Sequence, residues 1–201
     1  MIIQSKRVWI GGQFLPAQIE ISEGKIERIY TWGTKPVDVD YENLAILPGF
    51  IDIHTHGAYG FDTNDGEPSG LRDWMERIPE EGGTAILPTT VTQMPDVLTK
   101  AVANVANVIE EGYKGAEILG IHFEGPYLDM EYKGAQPPEA IAKPVVEQFK
   151  MYQAAAKGWI KYITVSPEHD EDFELIRYCA SHGVGVIMGH SSATYEEALM
   201  G

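Results

Sequence analysis

From Leu47 onward the chain keeps one rhythm, a short apolar run, then a loop, then a helical stripe, and this constrains its fold more than any other feature. Runs at 50–54, 84–88, 118–123, 162–165 and 185–188 are short, apolar and bounded by Gly, Pro or polar residues, so they read as strands. Their starts lie about 34 residues apart, close to one strand–helix unit of an eight-unit barrel of roughly 250 residues. Helical stripes lie between them. Val97, Leu98, Ala101, Val102, Val105, Val108 and Ile109 share one helix face that stops near Gly112. Phe173, Ile176, Cys179 and Ala180 form another, ending at His182-Gly183, with Gly183 suited to the position just past a helix end. Thr194 and Glu197 have capping-box spacing for a last short helix.

The reading is therefore an α/β chain, a (β/α)8 barrel of the TIM type interrupted after about five units. Sheet edges and apolar interior residues are then expected to be exposed, and the isolated segment to be prone to aggregation. The first part of the chain differs. Residues 8–10, 18–21 and 26–30 are short strand candidates separated by Gly11-Gly12 and Glu23-Gly24 turns, followed by a polar link from Thr34 to Asn43. Two domains follow from this, 1–46 as part of a small β unit and 47–201 as the first part of the barrel.

Composition narrows the function classes. With 44% hydrophobic and 22% charged residues among 201, the chain has ample core-forming material. A net charge of −15 argues against a nucleic-acid footprint or an anionic-membrane binder. The single Cys179 permits no disulfide within the chain and points to a reducing compartment, the cytoplasm. No apolar run approaches the ~18 residues of a membrane span.

Chemistry gathers where the strands end, which is where such barrels place their active sites. His54 and His56 close the run Leu47-Pro-Gly-Phe-Ile-Asp-Ile-His-Thr-His56, at the end of a strand expected to be buried. Residues two apart on a strand share a face, roughly 6.6 Å apart, so two imidazoles there can grip one metal ion. In isolation, a His-x-His more often has one packed and one solvated ring. Glu124, after the strand at 118–123, offers a hard oxygen donor, and His190 follows the run at 184–189 with Gly189 beside it. His122 shares the face of Glu124 two residues deeper and reads as packed. His169 competes as a ligand but precedes Asp170-Glu171-Asp172 at a helix start, where acidic residues suit the helix dipole. Asp52, which precedes the histidine pair, reads as structural, and His182 as an ordinary residue at a helix C-terminus.

The run ending in His56 resembles the opening metal motif of the amidohydrolase superfamily. Ile121-His-Phe-Glu-Gly-Pro-Tyr127, Lys133-Gly-Ala-Gln-Pro137 and Gly189-His-Ser-Ser192 are similar to segments of its N-acetylglucosamine-6-phosphate deacetylase family, as are Thr89-Thr-Val-Thr92 and Val165-Ser-Pro-Glu168. The resemblance runs along essentially the whole chain. It implies a (β/α)8 barrel with a small β-sandwich domain built from both chain ends. It also implies metal-dependent hydrolysis of N-acetylglucosamine 6-phosphate to glucosamine 6-phosphate and acetate. Carried over, Glu124 and His190 are ligands of the hydrolytic metal, and His54 and His56 hold a second ion. Ala135 and Gln136 lie against the amino sugar, Gln136 standing where other members place His. One or two divalent ions are implied, with Zn, Fe, Mn and Co left open, and a homodimer for the complete protein. A further metal-binding histidine, the aspartate acid/base and most phosphate-binding residues are expected beyond Gly201, so the segment alone is expected to be inactive. The alternatives are the galacto epimer as substrate, a different metal-dependent amidohydrolase such as a cyclic amidase or deaminase, and a non-catalytic fragment or interaction module. The implied reaction needs a divalent ion to activate water and polarise the amide carbonyl. It also needs a carboxylic acid to protonate the departing amine.

Overall fold

Two tight turns set the architecture of the N-terminal residues. Gly11 and Gly12 have φ of 57° and 87°, and Glu23 and Gly24 have φ of 50° and 74°. Positive φ at both central residues matches the turn whose twist suits a two-residue hairpin. These turns join β1 (Ile2–Ile10), β2 (Gln13–Ser22) and β3 (Lys25–Thr31) into an antiparallel meander. The computed structural model describes residues 1–201, which divide into two compact units, Met1–Gly49 and Phe50–Gly201.

In the first unit, β4 (Val39–Asp40) and β5 (Ala45–Ile46) add in parallel to β1, making one five-stranded sheet. Val8, Ala17 and Ile19 form its small core. The buried Gln18 fastens the polar link, donating to the Lys35 carbonyl at 2.8 Å and accepting from the Lys35 N–H at 2.9 Å. A sandwich needs two facing sheets. These residues form only one, because both short strands pair with β1 instead of starting a second layer.

The second unit is a succession of strands and helices. In chain order it contains β6 (Phe50–Thr55), the small hairpin β7 (Gly57–Ala58) and β8 (Phe61–Asp62), α1 (Pro68–Arg77), β9 (Gly83–Pro88) and α2 (Pro95–Glu111). Then come β10 (Glu117–Ile118), β11 (Ile121–Glu124), α3 (Val146–Ala155), β12 (Ile160–Val165), α4 (Glu174–Ser181), β13 (Gly185–Met188) and α5 (Tyr195–Met200). β9 lies in parallel between β6 and β10, and β12 in parallel between β11 and β13. A parallel bridge between Thr89 and His122 links the two groups.

The strand expected over 118–123 is therefore two pieces with different partners. Leu119 N–H donates to the Ile86 carbonyl on one side, and Ile121 N–H to the Trp159 carbonyl on the other, at 2.9 and 2.8 Å. Gly120 sits at the switch with φ of 148°, and a Cβ there would come within 2.9 Å of the Trp159 oxygen.

α2 buries the face its stripe describes; in α4 Ile176 and Cys179 are buried with Leu175, while Ala180, expected on that face, is exposed. Leu98, Ala101, Val102, Val105 and Val108 of α2 are buried, and the same core contains Leu71, Trp74 and Met75 of α1, Phe123 of β11, and Phe149 and Tyr152 of α3. α2 ends against Gly112, and α5 carries the reciprocal Thr194–Glu197 capping box. No helix is long and apolar enough to cross a membrane.

One expectation is corrected. The strand leading to His54 is an edge strand and is not buried: Phe50 is 72% and Ile51 62% exposed, because β6 pairs only with β9. Met188 on β13, the strand at the opposite edge, is also exposed.

The start of α4 gives a stability prediction. Asp172 and Phe173 have positive φ of 51° and 55°, so the residues just before the helix cannot cap it in the usual way. The buried Asp170 does so from further back, its two oxygens accepting from Leu175 N–H at 3.1 Å and Ile176 N–H at 2.9 Å. Asp170→Ala is expected to lower the unfolding free energy by about 2 kcal/mol, and Asp170→Asn by roughly half that. Urea denaturation followed by circular dichroism checks this; a loss under ~0.5 kcal/mol for the alanine variant would refute the capping role.

Candidate metal centre

Parallel strands put their C-terminal ends on one side of a sheet, and three of these ends supply the site. His54 and Thr55 finish β6, with His56 next in the chain; Glu124 finishes β11; His190 follows β13. Glu124 is 4% exposed and is the hub. Its Oε2 lies 3.2 Å from His56 Nε2 and 3.7 Å from His54 Nε2, while Oε1 lies 2.9 Å from His190 Nε2.

Backbone groups aim the rings. His56 Nδ1 lies 3.3 Å from the Thr89 carbonyl and His190 Nδ1 2.9 Å from the Tyr132 carbonyl, so in each ring Nδ1 is the nitrogen placed to donate. The strand ends are locked in turn, Thr89 N–H donating to the Thr55 carbonyl and Thr55 N–H to the Thr89 hydroxyl. His190 has a left-handed backbone with φ of 51°, held by two bonds to its own carbonyl, from Asp129 N–H at 2.8 Å and the Ser166 hydroxyl at 2.5 Å.

The donor set suits a divalent cation. With Nδ1 donating, Nε2 of His56 and of His190 presents a lone pair to a carboxylate oxygen, an acceptor facing an acceptor. Only protons or a cation reconcile that arrangement. Ligating atoms of His54, His56 and Glu124 all lie within 4.8 Å of one another. Burial by itself raises the Glu124 pKa, but the His56 hydrogen bond and the charges of His54, His56 and His190 outweigh it, leaving the carboxyl below its ordinary range. His56 is raised, first by its bond to Glu124, against the opposing effect of burial.

The remaining candidates fall into place around this hub. His122 lies below the pair, its ring centroid 4.7 Å from that of His54, with Nδ1 2.9 Å from the Ile53 carbonyl and Nε2 2.8 Å from the Thr164 hydroxyl. Both of its nitrogens are engaged, and burial pushes its pKa down. The loop from Lys133 to Gln136 passes beside His190: a Cβ on Gly134 would lie 3.6 Å from His190 Cε1. On that loop Ala135 is exposed and Gln136 is buried. Gln136 donates from Nε2 to Glu124 Oε2 at 3.1 Å.

A second group, Asp129, Glu168 and His169, braces the residues that follow His190. Asp129 Oδ2 lies 2.7 Å from His169 Nε2 and accepts from the Ser192 hydroxyl at 3.1 Å, while Glu168 accepts from the Ser191 hydroxyl at 2.7 Å. The His169 bond, aided by the N–H groups of Tyr132 and Glu131, holds the Asp129 carboxyl down at about 2. Sequence reasoning missed Asp129 and Tyr132 and gave Ser166, within the segment Val165-Ser-Pro-Glu168, no role, because their roles depend on contacts made across the fold. Thr89 fell within a noted segment without an assigned role.

A sequence model described as "Amidohydrolase family" matches residues 45–194. Among curated proteins, the chain is 42% identical over 182 residues to N-acetylglucosamine-6-phosphate deacetylase of Bacillus subtilis (strain 168), covering 87% of this chain and 46% of that protein. It is 31% identical over 180 residues to N-acetylgalactosamine-6-phosphate deacetylase of Escherichia coli O157:H7, covering 90% and 47%. Among solved structures, a mutant N-acetyl-D-glucosamine-6-phosphate deacetylase from Mycobacterium smegmatis, in complex with N-acetyl-D-glucosamine-6-phosphate, superposes with a TM-score of 0.91 at 25% identity, covering 100% of this chain and 52% of that one. The chain thus spans about half the length of the relatives it matches. A family match over residues 45–194, which include every histidine and carboxylate of the centre, makes this chain a member of the amidohydrolase family.

Proposed function

We propose that this chain carries the first part of a (β/α)8 catalytic domain that deacetylates N-acetylglucosamine 6-phosphate, giving glucosamine 6-phosphate and acetate. The observation that carries the reading is the convergence of His54, His56 and His190 on one buried carboxylate, Glu124. Similarity to deacetylases of amino-sugar phosphates supplies the substrate class. The galacto epimer is the second reading, supported by the Escherichia coli relative.

In this proposal Glu124 and His190 hold the hydrolytic ion, His54 and His56 hold a second, and Zn, Fe, Mn and Co all suit such donors. The bound ion supplies Lewis acidity for the acetyl carbonyl and for the attacking water. The protein's own contribution is orientation. Thr89 and Tyr132 carbonyls fix the His56 and His190 rings, and the bonds to the His190 carbonyl hold its loop in place. The exposed Ala135, on the loop beside His190, is positioned to lie against the sugar. A homodimer and a cytoplasmic location complete the proposal, the latter in keeping with the free, buried Cys179.

Glu124→Ala is expected to remove most of the metal that co-purifies with the protein, measured by inductively coupled plasma mass spectrometry; an unchanged metal content would refute the assignment. The phosphorylated sugar is expected to be preferred over N-acetylglucosamine by at least tenfold in kcat/KM, since a charge-assisted phosphate contact contributes about 1.5 kcal/mol or more. Acetate release from both sugars by the full-length protein tests this, and equal values would remove the phosphosugar reading.

A further inference from the structure

Gln136 is buried, and each of its four polar atoms has a hydrogen-bond partner. Its side-chain oxygen accepts the Thr92 N–H at 2.7 Å. A backbone N–H can only donate, so the amide has one allowed orientation, with its NH2 turned to Glu124 Oε2 at 3.1 Å. Its own N–H donates to the Lys133 carbonyl at 3.2 Å, and its carbonyl accepts from Lys133 Nζ at 3.1 Å.

The approach of Thr92 to this corner depends on the glycine after Glu124. A Cβ on Gly125 would fall 1.9 Å from Thr92 Oγ1 and 2.9 Å from Thr92 Cα, and Gly125 has φ of 74°. Glycine there lets the Thr92 backbone come close enough to fix the Gln136 amide.

The contact has a geometric effect on the hub. Oε2 is the oxygen shared by His54 and His56, and Oε1 is the one that meets His190. A donor on Oε2 from a third direction fixes the rotation of the carboxylate about its Cγ–Cδ bond. We propose that Gln136 is a positioning residue: its amide, oriented by the Thr92 N–H, holds Glu124 so that each oxygen keeps its own histidine partners, and thereby sets the affinity and coordination geometry of the metal centre. This rests on Glu124 being a metal ligand, as proposed above. It gives Gln136 a role distinct from direct contact with the sugar.

Co2+ titration of the metal-free protein tests it, with affinity and visible d–d spectrum read together in wild type, Gln136→Met and Gln136→Asn. Methionine keeps the length without the polar atoms, and asparagine keeps the amide but is too short to span from Thr92 to Glu124. Co2+ is expected to bind about 10–100-fold more weakly to Gln136→Met, with a changed spectrum, and to be weakened in the same direction in Gln136→Asn. Should Gln136→Met fail to fold, shown by circular dichroism, Gln136→Asn decides alone. In steady-state assays of the full-length protein kcat should fall while KM for the sugar moves little. Wild-type Co2+ affinity and spectrum in the folded variants would overturn the proposal, and a raised KM alongside them would return Gln136 to the substrate. A wild-type protein that takes up no Co2+ would overturn the metal centre itself, and this inference with it.

Discussion

A carboxylate with almost no access to water must find compensation, and Glu124 finds it in three imidazoles and an amide. An uncompensated charge at that depth would cost several kcal/mol, so the elements that carry its partners have to arrive together. That requirement ties the end of β6, the end of β11, the loop after β13 and the Lys133–Gln136 loop to one point. The stabilising contacts nearby act on the backbone: Thr55 with Thr89, Thr90 with the His122 carbonyl, Asp129 and Ser166 with the His190 carbonyl. Chemistry and local rigidity share the same bonds.

The scaffold beneath makes that meeting possible through its regularity and one break in it. Parallel strands with intervening helices put all their C-terminal ends on one side. Gly120 lets the third strand position change partners midway, so that β10 belongs with β9 and β11 with β12. His122 and Glu124 follow this break on β11, where one ring bonds across to the Ile53 carbonyl and to Thr164.

Much of this is legible in the residues because it is local. Apolar runs of strand length, the α2 stripe ending at Gly112 and the Thr194–Glu197 pair each carry their signal within a few positions. α1 and α3 did not. α1 contains Gly70, which weakens its pattern but is required because a Cβ there would meet the Phe61 ring at 2.3 Å. α3 buries only Phe149 and Tyr152, too few to show a stripe. β4 is a pairing of two residues chosen by β1, which no window around Val39 can show. The exposure of β6 is likewise invisible locally, since an apolar run looks the same at an edge as in the middle of a sheet. For the site, His54, His56, Glu124 and His190 stand out as chemistry at strand ends. Their supports, Asp129, Ser166, Tyr132 and Thr92, are ordinary residues made specific by distance.

β6 and β13 lie at opposite edges of this strand succession and have the same direction, which gives the sheet a handed connectivity. Joining like edges through a two-fold axis either reverses the strand direction or turns the opposite face toward the viewer. The first sends the added C-terminal ends to the rim opposite His56, Glu124 and His190; the second keeps them on that rim but inverts the face. Only an unlike join, β13 against a strand in the role of β6, preserves direction and face together. Extension of this sheet is thus vectorial, and every strand added in that sense brings its C-terminal end to the rim that already holds the histidines.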